Sequence, residues 1–285
     1  MRYNLFLLLS IAHLAAFSQK AITVDYDLVY NLSADAGTKK IKFLCLVPQD
    51  IKKIQTVSNV TFSPNPVRIF NENSSRYAEF IIDTPAPENK IKISITLDIY
   101  QNGLRDKNNL RIDSGLERYL ISENYIEADH PQIIKKSQQL QKKSEIETLK
   151  GIYSFVCQHM SYSGYNPKSI GAVRALEQKH GDCTEYTDLF VALCRANNIP
   201  ARVITGYTIT YTNTPKHNWA EAYTKEYGWL RFDPTVNSFN SLNNRYIYLS
   251  SIKNDPTLNN FDFYTWRFWG TPIKVTENFE VKKIH

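Results

Sequence analysis

The sequence predicts an α+β protein, and three observations carry that prediction. Residues 22–100 alternate apolar and polar side chains, the apolar spacing turns helical from Pro131, and strand-like runs return after residue 200. In the first stretch Ile22, Val24, Tyr26, Leu28 and Tyr30 share one face. So do Ile41, Phe43, Cys45 and Val47, and again Ile91, Ile93, Ile95, Leu97 and Ile99. Period two over such lengths describes strands with one buried face. Ser63-Pro64-Asn65-Pro66 and Thr84-Pro85-Ala86-Pro87 punctuate them as turns. A small antiparallel sandwich is therefore expected over residues 19–105.

A polar stretch, 106–130, reads as a linker that wraps onto a second domain, 131–285. There Ile133, Ile134, Ser137 and Leu140 mark one helix, and Ile146, Leu149, Tyr153, Val156, Cys157 and Met160 a second. Ser169 is placed to cap a third running through Leu176. Gly181-Asp182 opens a fourth, which Asn198-Ile199-Pro200 ends. Strand-like runs follow at 202–211, 217–224 and 229–233. The tail after Pro234 is rich in Asn, Ser and aromatics. It reads either as more sheet and covering loop or as the lining of a substrate groove.

The first residues read as a signal peptide over 1–18. Arg2 gives a short positive start, an apolar run of about a dozen residues follows from Leu5, and Ala16-Phe17-Ser18 offers small residues for cleavage before Gln19. The run is short for a bilayer span, so no stable membrane insertion is expected. The mature protein is expected outside the cytoplasm, periplasmic or secreted. Mass spectrometry of the exported protein should find a start at or near Gln19, and an intact Met1 would contradict this.

The net charge of +6 is spread over short pairs such as Lys39-Lys40 and Lys142-Lys143, with no run that forms a nucleic-acid or membrane patch. Neither C-x-x-C nor H-E-x-x-H occurs, so no metal and no cofactor is expected. Of the four cysteines, Cys45, Cys157 and Cys194 fall on apolar faces and read as buried small hydrophobes.

Cys183 is different. In His180-Gly181-Asp182-Cys183-Thr184-Glu185, Asp182 is a good N-cap and Glu185 completes a capping box three residues on. Cys183 then sits in the first helical turn, where unsatisfied N–H groups and the helix dipole favour thiolate. The negative charges of Asp182 and Glu185 oppose this, so a histidine partner should matter more than the dipole. The N–H of Cys183 could form one arm of an oxyanion hole, and Gly181 would let a substrate backbone approach.

That histidine is found on a hairpin. His217-Asn218-Trp219-Ala220-Glu221-Ala222-Tyr223 turns near Lys225 into Trp229-Leu230-Arg231-Phe232-Asp233-Pro234. A turn centred there sets His217 opposite Asp233, Trp219 opposite Arg231, Glu221 opposite Trp229 and Ala220 opposite Leu230. Moving the centre by one residue shifts partners by two and keeps them neighbours on one face. An aspartate beside a histidine fixes its tautomer and stabilises the imidazolium, giving nucleophile, base and orienter in the order Cys183, His217, Asp233.

These motifs together resemble the transglutaminase-like superfamily. The pattern stands here as Gly181-Asp182-Cys183, Arg195-Ala196-Asn197-Asn198-Ile199-Pro200-Ala201-Arg202, Gly206-Tyr207, His217-Asn218-Trp219-Ala220-Glu221, and Trp229 through Asp233-Pro234-Thr235. It covers about a third of the chain. Asn197-Asn198 departs from the glycine the family usually has, but asparagine tolerates the left-handed conformation needed there. The β-rich N-terminal part is similar to the domain that precedes this core in many exported bacterial members.

The resemblance implies a papain-like transglutaminase core, a helix carrying the cysteine packed on an antiparallel sheet, with the triad Cys183, His217 and Asp233. It implies attack on an amide or peptide carbonyl through a thioester, most simply in a hydrolase, a cysteine peptidase or amidase. The substrate would be a protein or peptide, cell-wall peptides among the candidates. The alternatives are a cross-linking acyl transferase and a non-catalytic binding module on the same fold.

Overall fold

The computed structural model describes residues 21–100, 115–166, 168–210, 215–239 and 245–285. The signal peptide expected over 1–18 and the first part of the expected 106–130 linker lie outside them.

Six strands form first: β1 (Ala21–Ser33), β2 (Thr38–Val47), β3 (Gln55–Ser63), β4 (Arg68–Glu72), β5 (Ser75–Ile82) and β6 (Glu88–Tyr100). The alternation read from the sequence is the alternation of burial. Val24, Tyr26, Leu28, Tyr30 and Leu32 of β1 are buried, and so are Ile91, Ile93, Ile95, Leu97 and Ile99 of β6. In their antiparallel register Tyr26 faces Ile95 and Leu28 faces Ile93, so both strands turn one apolar face to the same core. That core also takes Phe43 and Cys45 from β2 and Tyr77 and Phe80 from β5, which makes it the interior of a two-sheet sandwich.

The helical part follows: α1 (Pro131–Leu140), α2 (Glu145–His159), the short strand β7 (Ser161–Tyr162), α3 (Gly171–Gln178), the short strand β8 (His180–Gly181) and α4 (Cys183–Ala196). Helix α4 is buried all round from Glu185 to Arg195, because α1, α2 and α3 pack on it from one side and a sheet from the other. That sheet contains β9 (Ala201–Thr208), β10 (Lys216–Thr224), β11 (Gly228–Asp233), β12 (Ser238–Phe239) and β13 (Tyr246–Ser250), in the spatial order β12-β11-β10-β9-β13. Asn198 closes α4 in the left-handed conformation, at φ 56°. This is the α+β architecture expected, with the cysteine-bearing helix against an antiparallel sheet.

Two expectations are corrected. Ser169 does not cap α3. The helix starts at Gly171, and its first N–H groups, those of Ala172 and Val173, donate to Glu127 Oε2 at 2.9 and 3.4 Å. The capping carboxylate arrives from the linker. Gly171 has φ +83°, where any other side chain is strained, and a Cβ there would displace the Glu127 carboxylate, so glycine is favoured. The second correction concerns the tail. The last two strands, β14 (Tyr264–Gly270) and β15 (Lys274–Ile284), complete the sandwich rather than the 131–285 unit to which the sequence assigned them. The two sandwich sheets run β15-β1-β6-β3 and β14-β2-β5-β4. The reason is again alternation: Val275, Phe279 and Val281 stand beside Leu32, Leu28 and Tyr26, and Tyr264, Trp266 and Phe268 beside Cys45, Phe43 and Ile41. The chain thus leaves the sandwich, builds the helical core, and returns.

Residues of the 115–130 stretch pack against the helical core. Ile126 is buried in the core of α4. Tyr119 stacks edge-on against Trp229, with the Arg202 guanidinium over its ring.

Candidate active site

Helix α4 begins with both halves of the predicted capping box. Asp182 Oδ1 accepts from Thr184 N at 2.7 Å, and Glu185 Oε2 accepts from Asp182 N at 3.0 Å. The remaining carboxylate oxygens are also engaged: Asn166 N donates to Asp182 Oδ2 at 2.9 Å, and Ile170 N to Glu185 Oε1 at 3.2 Å. Each such cap is worth about 1 kcal/mol. Burial pushes the Glu185 carboxyl up, against the Asp182 N–H that holds it down. Gly181 is explained by Glu185 rather than by a substrate, since a Cβ at 181 would lie 2.4 Å from the Glu185 Cβ. The parallel bridge of β7 with β8 pairs Tyr162 with Gly181 and so brings Tyr162 beside the helix start.

His217 and Asp233 meet, although not in the expected register. The hairpin pairs Thr224 with Gly228, Ala222 with Leu230, Glu221 with Arg231 and Ala220 with Phe232. The turn is centred on Glu226, one residue later than expected, because Gly228 takes the positive φ of 69° that closes a three-residue loop. Partners move by two, and His217 and Asp233 become diagonal rather than opposite. Their side chains still close the gap: His217 Nε2 lies 2.6 Å from Asp233 Oδ2. The aspartate is wholly buried and the histidine nearly so.

Burial alone would push His217 down, but the charge and hydrogen bond of Asp233 outweigh it, with a hydrogen bond to Cys183 adding to them. The imidazole is lifted to about 10 and carries its proton at neutral pH. With Nε2 held by Asp233, Nδ1 is the ring nitrogen left for the Cys183 sulfur.

Other residues hold this pair, and the sequence assigned none of them a role in doing so. Tyr246 on β13 donates from its hydroxyl to Asp233 Oδ2 at 2.8 Å, and Thr235 N donates to Asp233 Oδ1 at 3.1 Å. Asn218, next to His217, donates to Thr184 Oγ1 at 3.1 Å and accepts from Thr205 Oγ1 at 3.1 Å, while Thr187 Oγ1 donates to the Asn218 carbonyl at 3.2 Å. This stitches β10 to α4 one residue away from both Cys183 and His217. Tyr246 comes from beyond the matched motifs, so no local spacing could find it. Tyr246→Phe keeps the ring against Trp219 and deletes one hydrogen bond to a buried carboxylate, an interaction worth about 1.5–3 kcal/mol. A roughly tenfold fall in kcat/KM is expected, with a changed pH profile. An unaltered profile would show that Tyr246 only packs.

Cys183 and His217 line one cavity of about 760 Å³, together with Tyr162, Tyr165 and Asp182 from the core side and Tyr264 and residues 275–279 from the sandwich. The tail is sheet, and part of it also lines this cavity. The other cysteines lie elsewhere as free thiols, and burial pushes all three up. Among the described residues no three His, Cys, Asp or Glu side chains are grouped to hold a metal ion, and no helix is long and apolar enough to cross a membrane.

Residues 134–234 match the family model described as the transglutaminase-like superfamily. Over 73 residues the chain is 36% identical to YebA of Bacillus subtilis (strain 168), which is 21% of this chain and 10% of that protein. Over 142 residues it is 27% identical to Rv2569c of Mycobacterium tuberculosis, 43% of this chain and 45% of that one. The chain spans less than half the length of these curated relatives. A solved structure from Cytophaga hutchinsonii, described as "a putative cysteine protease", aligns with a TM-score of 0.66 at 19% identity, over 93% of this chain and 92% of that one. The periplasmic domain of TgpA from Pseudomonas aeruginosa aligns at a TM-score of 0.40 and 15% identity, over 74% and 87%. The chain carries a transglutaminase-like core at residues 134–234. It shares its fold with the Cytophaga protein over nearly its whole length.

Proposed function

We propose that the protein is a thiol hydrolase of amide or peptide bonds, with Cys183 as nucleophile, His217 as acid and base, and Asp233 as the group that orients His217. The observation that carries this reading is the geometry of His217, clamped at 2.6 Å by buried Asp233 and lining the same cavity as Cys183. The Cys183 sulfur attacks the carbonyl carbon, and the Cys183 N–H at the start of α4 faces the developing oxyanion. Collapse breaks the C–N bond. His217 gives its proton to the departing amine, which leaves a thioester on Cys183. Water then attacks the thioester, His217 takes a proton from it, and the carboxylic acid leaves as the thiolate returns. A cavity of about 760 Å³ beside Cys183 is of the size that small-ligand and peptide sites have, which supports this reading.

The test is to offer casein and short capped peptides with and without a primary amine such as cadaverine, and to read products by mass spectrometry. New termini in both conditions support hydrolysis. Incorporated amine without new termini would make the protein an acyl transferase, and no Cys183-dependent product would leave the core as a binding module. Export is part of the same proposal and is supported by the apolar run after Arg2.

A further inference from the structure

The cavity beside Cys183 is closed on one side by a strand of the sandwich. Five consecutive residues of β15, 275–279, line it. Side chains of a strand alternate between faces, so a consecutive run borders one cavity only along the strand's edge, through its backbone. β15 is such an edge, paired with β1 on one side and with no further strand beyond it among the described residues. An edge strand turns the N–H and C=O of every second residue away from its neighbour, a ready template for another chain. Past the cavity this edge is guarded by Glu280, Lys282 and Lys283, the charges that keep edges from pairing at random. Within 275–279 the one charged side chain, Glu277, is tied back: Tyr207 Oη donates to Oε1 at 2.7 Å, and Lys216 Nζ lies 2.6 Å from Oε2.

We infer that the substrate is an extended peptide that adds to the β15 edge as a further strand, presenting a main-chain carbonyl to Cys183. The inference rests on the reading of Cys183 as a thiol that attacks amides, and it narrows that reading. A backbone edge recognises an amide at every second residue. A sugar has no such repeat, and a glutamine side chain reaching in from a folded surface makes no use of it. Residues 275–279 span about 13 Å, which matches a segment of about four residues. The sandwich then serves the reaction as one wall of the binding cleft.

The test uses two electrophiles, acetyl-tetra-alanyl vinyl sulfone and acetyl-alanyl vinyl sulfone, to form adducts on Cys183 of the whole protein. Amide hydrogen exchange is then read across 275–279. In the longer adduct alternate amides of this stretch should exchange at least tenfold more slowly than in the shorter one. A single N-methyl group at alternate alanines should cancel that protection, and one at the intervening alanines should not. Unchanged exchange at 275–279, or protection only around 162–166, would overturn strand addition and put the peptide elsewhere in the cleft. The thiol reading fails separately, if both reagents label wild type and His217→Ala at the same rate. The exchange pattern of the adducts still reports on β15 in that case.

Discussion

Replacing Cys183 by alanine is expected to abolish turnover and leave the fold standing. The thiol sits at the first position of α4, whose start is held by the Asp182 and Glu185 caps and not by sulfur. Its side chain is only partly buried, so the exchange removes one atom at a cavity wall and should cost about 1 kcal/mol or less in stability. Covalent catalysis has no substitute for the nucleophile, so activity should fall to background rather than by a factor. Turnover that persists in a pure Cys183→Ala preparation with unchanged circular dichroism would end the proposed mechanism.

Replacing His217 by alanine should lower kcat/KM by about 10³-fold or more, because one ring both activates the thiol and protonates the leaving amine. Asp233→Asn should cost less activity, since the side-chain shape is kept and the remaining amide oxygen can still accept from Thr235 N. It should also cost stability in a pH-dependent way. His217 is raised from 6.5 to about 10 by Asp233, against the opposing effect of burial. A raised folded-state value adds stability that is fully present below about 6.5 and fades as pH climbs through about 10. The gap in Tm between wild type and Asp233→Asn should therefore be widest near pH 6.5 and narrow toward pH 10. Breaking a buried ion pair can cost about 3–5 kcal/mol when it strands a charge. Here the imidazole escapes part of that by releasing its proton, so the loss should fall below this range. A gap that does not vary with pH would mean that His217 is not held charged by Asp233.

Much of this was legible in the chain because it rests on local rules. The capping box at Asp182 and Glu185 is a matter of spacing three residues apart, and it came out as expected. The alternations in β1, β2 and β6 predicted their buried faces for the same reason. What the sequence hid is non-local. Glu127 caps α3 from 45 residues away, Tyr246 reaches Asp233 from another strand, and β14 and β15 return over 200 residues to pair with β2 and β1. Alternation tells which face of a strand is buried but not which neighbour it finds. The hairpin register missed by two because the loop length turned on the conformation of one glycine, Gly228. The period-two rule kept His217 and Asp233 on one face in spite of that.

The central claim is that His217 acts on the Cys183 thiol, and alkylation tests it most directly. Wild type and His217→Ala are treated with iodoacetamide at pH 6.5, and modification at each cysteine is followed by mass spectrometry. Buried Cys45 and Cys194 serve as internal references for unfolding. The account predicts that Cys183 in wild type reacts at least tenfold faster than in His217→Ala, with the references silent in both. Equal rates at Cys183 in the two proteins would mean that the imidazole does not activate the thiol, and the assignment of Cys183, His217 and Asp233 as one catalytic unit would be wrong.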